Sequence, residues 1–140
     1  PATVLGMRIS ATDWVEGEGV GPEESVEIAR LLADAGCDIV DVSSGGTSPR
    51  AKVDLGRMYQ VPFADRIRHG AGIPVMAVGG IQGFDHANTI LAAGRADLCA
   101  LARAHLWDPY WTRHAAFDSG ARLPWPAPYS SVDNYNPRFR

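Results

Sequence analysis

Short apolar runs alternate along this chain with segments in which apolar residues recur every three or four positions. The runs have the length of β-strands. In the segments between them, the spacing of three or four positions places the apolar side chains on one face of a helix. Strands and helices that alternate in this way predict a parallel sheet with helices packed outside it. The four predicted strands lie at about residues 3–10, 38–43, 74–78 and 97–102.

The first helix has the clearest boundary signals. Pro22 suits the first helical position, and Gly36 is placed to end the helix. Carboxylates are favoured in the first turn by the helix dipole, and two glutamates stand there. We expect the face toward the sheet to carry four residues at helical spacing, Ile28, Leu31, Leu32 and Ala35.

End signals also bound three further helices. Proline at a first helical position, aspartate at an N-cap and glycine after the last turn are typical of such boundaries. We expect Ile90 and Leu91 to point inward from the second of these helices. No regular element is predicted after Gly120, where the chain becomes rich in proline. The predicted helices run from about Pro62 to Gly70, from Asp85 to Gly94, and onward from Asp108 and Pro109.

Four strand–helix units amount to half of an eight-stranded TIM barrel, which needs roughly 200 residues or more. We therefore expect residues 1–120 to form the C-terminal half of such a barrel and residues 121–140 to form a proline-rich tail. The first and last strands would leave open edges, which predicts a missing N-terminal half-barrel or pairing with another copy in a homo-oligomer. An open doubly wound sheet is the alternative, although no Gly-x-Gly-x-x-Gly follows the first strand.

Composition narrows the class of partner. The net charge of −3 gives no basic surface, which disfavours nucleic acid. No apolar stretch approaches the roughly 18 residues of a membrane span. Cys37 and Cys99 lack the spacing of a metal site, so we expect buried, reduced thiols and a cytoplasmic protein.

The chemistry of a TIM barrel lies at the carboxyl ends of its strands. The third predicted strand ends in Gly79 and Gly80, and the fourth ends in Ala102 and Arg103. Glycines let backbone N–H groups approach an anion, and arginine adds a fixed charge with a two-pronged donor. Near the end of the first strand stands Arg8, a costly charge unless it is paired. These residues predict a cradle for an anionic small molecule.

Several of the candidate residues have structural alternatives. Arg8 could instead form a salt bridge to Asp41 or Asp13. Ser43 and Ser44 could satisfy loop backbone groups. We expect structural or solvated roles for the four histidines and packing roles for the four tryptophans, although the tryptophan after the first strand could form a wall of the pocket. The histidines and tryptophans are His69, His86, His105, His114, Trp14, Trp107, Trp111 and Trp125.

At these positions the sequence resembles the Old Yellow Enzyme family of FMN-dependent oxidoreductases, and within it the small bacterial ene-reductases that include xenobiotic reductases. The resemblance covers most of residues 7–115 in the same order and spacing. It is carried by Arg8-Ile-Ser-Ala-Thr-Asp13, Val40-Asp-Val-Ser-Ser-Gly45, Tyr59-Gln-Val-Pro-Phe-Ala64, Ile73-Pro-Val-Met-Ala-Val-Gly79, and Gly94-Arg-Ala-Asp-Leu98 through Arg103 to Asp108-Pro-Tyr-Trp111.

The resemblance implies specific cofactor contacts. It implies that Arg8 contacts the N1/O2 edge of the flavin, where a cation stabilises the reduced anion. It also implies that the backbone at Gly79, Gly80 and Ala102, with Arg103, holds the FMN phosphate. The family usually has Gly-Arg where this chain has Ala102-Arg103, and a backbone contact survives that change if φ is negative.

The resemblance further implies an enzyme that takes hydride from NAD(P)H onto FMN and reduces activated C=C bonds such as those of enones. The family's catalytic tyrosine, substrate-binding histidines and flavin-contacting glutamine lie in the other half of the barrel. We therefore expect this chain alone to be inactive, which leaves a catalytically silent half-barrel as one alternative. No role is assigned to Arg138 or Arg140, which do not align cleanly with a C-terminal arginine of the family.

The proline-rich tail suggests a different parent protein as another alternative. The run Pro124-Trp-Pro-Ala-Pro-Tyr129 resembles the end of bifunctional proteins in which such a domain follows a monooxygenase for aromatic acyl-CoA thioesters. A third alternative keeps the barrel and changes the ligand, because sugar-phosphate isomerases use a similar phosphate corner.

Overall fold

The computed structural model describes residues 3–135, which form a parallel sheet with helices on one side of it. The four strands are adjacent in chain order, and every pair is parallel. Arg138 and Arg140 lie outside the described residues. The elements are β1 (Gly6–Ser10), α1 (Pro22–Asp34), β2 (Ile39–Ser43), α2 (Val61–Ala71), β3 (Val75–Val78), α3 (Phe84–Ala92), β4 (Leu98–Ala100), α4 (Arg103–Trp107), α5 (Trp111–Asp118) and a 3₁₀ helix (Ala127–Asn134).

The core lies between the sheet and the helices. Successive side chains of a strand point to opposite faces. On one face of β2 and β3 the side chains are fully buried, namely those of Val40, Val42, Val75 and Ala77. Helix α2 packs on β3 and α3 packs on β4, while α1 and α2 lie side by side. The predicted parallel α/β architecture of a half-barrel is therefore confirmed.

The opposite face of the sheet is the one that would line the inside of a closed barrel. One row across it consists of Arg8, Asp41, Met76 and Leu98, which pair in register from β1 to β4. None of these four side chains is fully buried, and Leu98 is 49% exposed. Strands β1 and β4 each have a single neighbour among the described strands, so both edges of the sheet are open.

The predicted inward face of α1 was partly wrong. The buried residues of this helix are Ser25, Val26 and Ala29, whereas Leu31 is 68% exposed. The reason is a close contact with α2, where a Cβ atom on Gly70 would lie 2.7 Å from a methyl carbon of Val26. Small side chains face this contact, and the larger Leu31 points away from it.

Gly70 was predicted to end α2, but the contact with Val26 gives a different reason for a glycine at this position. Gly70 lies inside the helix, which ends at Ala71 and is capped by Gly72 with a φ of 70°. In α3, Ile90 is buried as predicted but Leu91 is 43% exposed. Neighbouring residues on a helix point about 100° apart, so both could not face the sheet.

Several predicted boundaries also moved. Strand β1 begins at Gly6 instead of residue 3. Strand β4 is only three residues long and ends at Ala100, and Arg103 is the first residue of the short helix α4. Gly83 is the N-cap of α3, which places Asp85 in the first turn. The tail, predicted to be irregular, contains the 3₁₀ helix.

Asp108 was predicted to start the last helix and instead ends α4. It is the C-cap of that helix, and α5 begins at Trp111. The Asp108 carboxylate nevertheless accepts a hydrogen bond from the Tyr110 N–H, 3.0 Å away, just before α5 begins. No helix among the described residues is both long enough and apolar enough to cross a bilayer.

Candidate anion site at the ends of strands β3 and β4

A cavity of about 430 Å³ opens where β3 and β4 end. Four of the five predicted cofactor-binding residues line it together: Gly79 and Gly80 after β3, and Ala102 and Arg103 after β4. Parallel strands place their carboxyl ends at one edge of the sheet, which is why residues distant in sequence meet here. The structure thus brings together the glycine pair and one of the two predicted arginines.

The turn formed by Gly79 and Gly80 is left-handed at both residues, with φ values of 101° and 67°. Such a turn needs glycine, because a Cβ atom makes these angles costly. Among residues 3–135, no protein acceptor receives a hydrogen bond from the backbone N–H of Gly80 or Ile81. Backbone donors without a protein acceptor, next to an open cavity, are what an anion requires.

A second segment supports this turn from behind. The backbone N–H of Met58 donates to the Gly80 carbonyl at 3.2 Å. A Cβ atom on Gly80 would lie 2.6 Å from the Gly56 carbonyl oxygen and 2.7 Å from the Met58 nitrogen. Glycine at position 80 is therefore required by close packing as well as by its φ value.

Arg103 brings the positive charge. It is the first residue of α4, its side chain is exposed, and no ion pair or hydrogen bond within the described chain engages its guanidinium. Ala102 has a φ of −103°, in the range open to any residue, so alanine leaves the backbone there free to contact a ligand. The cavity therefore contains a free cation beside free backbone donors.

Two tryptophans that the sequence analysis assigned to packing also line the cavity. Trp107 is 92% exposed and contributes almost nothing to the core. Trp111 donates its indole N–H to the Gln82 carbonyl at 3.0 Å, which fixes the ring at the rim. The spacing could have identified Trp107, because it follows Arg103 by four residues and so shares its face of the helix.

Arg8, the remaining predicted site residue, does not line this cavity. Its Nε and one terminal nitrogen contact a carboxylate oxygen of Asp41 at 2.7 and 2.6 Å, which is the structural alternative that the sequence offered to a ligand contact. The other Asp41 oxygen is buried and has no hydrogen-bond partner among the described residues. Arg8 is on β1 and Arg103 follows β4, and these two strands are about 14 Å apart across the sheet at the usual strand spacing.

The ends of β1 and β2 are occupied by bonds within the protein. Asp13 accepts hydrogen bonds from the Val20 N–H at 2.7 Å and the Thr47 hydroxyl at 2.5 Å. These two donors, Thr47 foremost, lower the pKa of Asp13. Arg50 pairs with Glu18 across the same loops. Asp13 thus orients the loop that follows β1.

Trp14, Ser44 and Ser10 have structural contacts at this end. Trp14 packs edge-on against Phe63 with ring centres 5.6 Å apart, and it lies outside the cavity at β3 and β4. Ser44 donates to the side chain of Gln60 at 2.7 Å instead of to loop backbone. Ser10 donates to the carbonyl of Thr12 at 3.1 Å.

The histidines and cysteines form no second site among the described residues. His86 is buried and accepts from the Gln82 N–H at 3.3 Å, while His69 and His114 pair with aspartates. Cys37 and Cys99 are free thiols, and burial raises the pKa of Cys99. Within residues 3–135, no group of three or more histidine, cysteine or acidic side chains could hold a metal ion.

Comparison with known proteins gives consistent relatives. Over 125 residues the chain is 42% identical to an NADPH dehydrogenase of Geobacillus thermodenitrificans, covering 89% of this chain and 36% of the relative. It is 38% identical over 128 residues to an NADPH dehydrogenase of Clostridium acetobutylicum, covering 91% and 37%. The chain therefore spans little more than a third of the length of these relatives.

A solved structure shows the same fold. A 2-naphthoyl-CoA reductase in complex with 2-naphthoyl-CoA superposes with a TM-score of 0.66 at 24% identity, covering 84% of this chain and 18% of that one. The sequence profile of the NADH:flavin oxidoreductase / NADH oxidase family matches residues 2–119. This match spans most of the chain and includes the strand ends that line the cavity. The chain belongs to the NADH:flavin oxidoreductase / NADH oxidase family of flavin-dependent oxidoreductases, as the Old Yellow Enzyme resemblance predicted.

Proposed function

We propose that this chain is the phosphate-binding half of a barrel that holds FMN and oxidises NAD(P)H. The observation that carries the proposal is the free Arg103 guanidinium beside the free N–H groups of Gly80 and Ile81, in one cavity. A phosphate monoester presents three acceptor oxygens and a negative charge, which the two backbone N–H groups and the guanidinium can bind. The barrel part corresponds to residues 1–120, and residues 121–140 form its tail.

The arrangement fits FMN better than a small anion. Besides the phosphate donors, the cavity is lined by Ala100, Leu101 and two indole rings, so it offers apolar surface as well as charge. Arg8 lies on the sheet face that also carries Val78 and Ala100, two residues that line the cavity. An elongated ligand with its phosphate at Arg103 could present its flavin ring toward Arg8, as the family resemblance implies.

In the complete enzyme, bound FMN supplies hydride transfer from a nicotinamide cofactor to the substrate. We propose an activated C=C bond, such as that of an enone, as the substrate, and this rests on the resemblance to ene-reductases. The name NADPH dehydrogenase, carried by the relatives, supports NADPH as the hydride donor. Their greater length supports a further half-barrel that completes the site, and a homo-oligomer remains part of the proposal.

The same reasoning makes the isolated chain catalytically silent. In the part of the chain that the structure describes, the sheet is open at both edges and its inner face has no opposite wall. We expect no NADPH oxidation by the purified chain with added FMN, measured at 340 nm. Turnover above the rate of free FMN would show that this half is sufficient.

Replacing Arg103 tests the proposed phosphate contact. In the complete protein, Arg103→Ala should weaken FMN binding by about 1.5–3 kcal/mol, the range for a hydrogen bond to a charged group. This corresponds to roughly a 10- to 150-fold rise in Kd, measured by quenching of flavin fluorescence. Arg122→Ala removes another exposed arginine outside the cavity and should leave the Kd unchanged. Equal FMN affinity in both variants would contradict the proposal.

A further inference from the structure

Gln60 is a buried polar residue directly behind the glycine turn. It is 3% exposed, immediately precedes α2, and does not line the cavity at the ends of β3 and β4. A buried side-chain amide costs free energy unless both of its ends are bonded. The contacts of Gln60 therefore show what the fold uses it for.

The amide bridges the ends of two strands. Its Nε2 donates to the Val78 carbonyl at 2.7 Å, and its Oε1 accepts from the Ser44 hydroxyl at 2.7 Å. A carbonyl can only accept, so the nitrogen must face Val78 and the oxygen must face Ser44. The end of β2 is thus linked through Gln60 to the last residue of β3.

The Val78 carbonyl immediately precedes the glycine turn. A Cβ atom on Gly79 would lie 2.4 Å from the Gln60 nitrogen, so the side chain fills the space behind Gly79. Met58, two residues before Gln60, holds the carbonyl on the other side of the turn at Gly80. Met58 itself has a φ of 54°, an unusual angle for a residue with a side chain. The two bonds therefore fix the turn before and after Gly79.

We infer that Gln60 is a positioning residue for phosphate recognition: it holds the Gly79–Gly80 turn so that the free N–H groups face the cavity. Two consecutive glycines have more accessible conformations than any other pair, so their orientation must be imposed by neighbours. A turn that is held before the ligand arrives loses less conformational entropy on binding. The inference rests on the proposed function, because it takes the phosphate of FMN as the anion.

The test compares FMN with riboflavin, which has the same ring system and lacks the phosphate. In the complete protein, the ratio of the riboflavin Kd to the FMN Kd measures phosphate recognition separately from ring binding. Gln60→Met removes both bonds at similar volume. Gln60→Leu also removes both bonds and provides a second variant if the first does not fold. Ser44→Ala is the control, since it leaves the Val78 bond in place.

We expect both Gln60 variants to reduce the Kd ratio by about tenfold or more, mainly through a higher FMN Kd, and Ser44→Ala to change it less than threefold. An unchanged ratio in a folded Gln60 variant would overturn the inference. If the affinity for both flavins falls equally, the ratio is unchanged and Gln60 has a general structural role. A wild-type protein that binds both flavins equally would instead refute the proposed phosphate site itself. The two failures are therefore distinguishable.

Discussion

The carboxyl ends of β1 and β2 carry the same kinds of residue as those of β3 and β4, but these residues have different partners. At β1 and β2, charged groups bind one another: Asp13 accepts from Thr47 and Val20, and Arg8 pairs with Asp41. At β3 and β4, the Arg103 side chain and the N–H groups of Gly80 and Ile81 have no partner within the described chain. The second end also has the larger cavity, about 430 Å³ against about 170 Å³.

This difference shows at which strand ends a ligand can form hydrogen bonds without breaking existing ones. A donor that already has an internal acceptor must give up that bond, whereas an unpartnered donor gains a new one. Glycine, arginine and polar side chains at strand ends are therefore insufficient to identify a binding site. What distinguishes the β3–β4 end is that its donors have no internal partner.

The largest effect is expected from a change to the glycine turn. Gly80→Ala places a Cβ atom 2.6 Å from the Gly56 carbonyl at a φ of 67°. Left-handed strain of about 1–2 kcal/mol adds to an overpacking cost of similar size, so we expect a loss of about 2–4 kcal/mol in unfolding free energy. Urea denaturation measures it.

Gly46→Ala provides the matched control at the other end of the sheet. Gly46 has a φ of 83°, but a Cβ atom there would meet nothing within 4 Å. Its loss should be limited to the conformational strain, about 1–2 kcal/mol. If the two variants lose equal stability, the close support of the turn by residues 56–58 is not energetically important.

The next effect concerns whether Arg8 faces the flavin at all. In the complete enzyme, Arg8→Met should lower the flavin midpoint potential, because it removes a cation that stabilises the reduced anion. Asp41→Asn should raise the potential, because it leaves the Arg8 charge uncompensated. We expect shifts on the order of 30 mV, about 1.4 kcal/mol for a two-electron couple. Dye-coupled reductive titration measures both, and shifts of the same sign would place Arg8 away from the flavin.

The smallest effect is an acid sensitivity confined to the β1–β2 end. The pKa of Asp13 is lowered in the folded protein, so its stabilising contribution is present above the unfolded pKa and is lost as pH falls through the folded pKa. Asp13→Asn should reduce the loss of stability between about pH 5 and pH 2, by under about 1 kcal/mol for this solvent-accessible group. Urea midpoints measured across that range test it. Asp54→Asn, which also replaces an aspartate on an exposed loop, is the matched control.

Much of the architecture was predictable because the spacing of apolar residues differs between strands and helices. The alternating pattern identified four strand–helix units, and the register of parallel strands brought Gly79, Gly80, Ala102 and Arg103 to one edge. The errors fell where local signals compete with packing. Leu31 matched the helical stripe but was displaced by the close approach of Gly70 to Val26.

Contacts between side chains were harder to foresee. Nothing in the residue spacing indicates that Gln60 reaches Val78 or that Ser44 bonds to it, because loop geometry decides both. Asp41 could be named as a partner of Arg8, since adjacent strands pair in register, but the buried oxygen without a partner could not.

A crystal structure of the complete protein with bound FMN tests the central claim most directly. The account predicts FMN phosphate oxygens about 3 Å from the Gly80 and Ile81 nitrogens and from the Arg103 guanidinium. A phosphate bound elsewhere, with Arg103 directed to solvent, would contradict it.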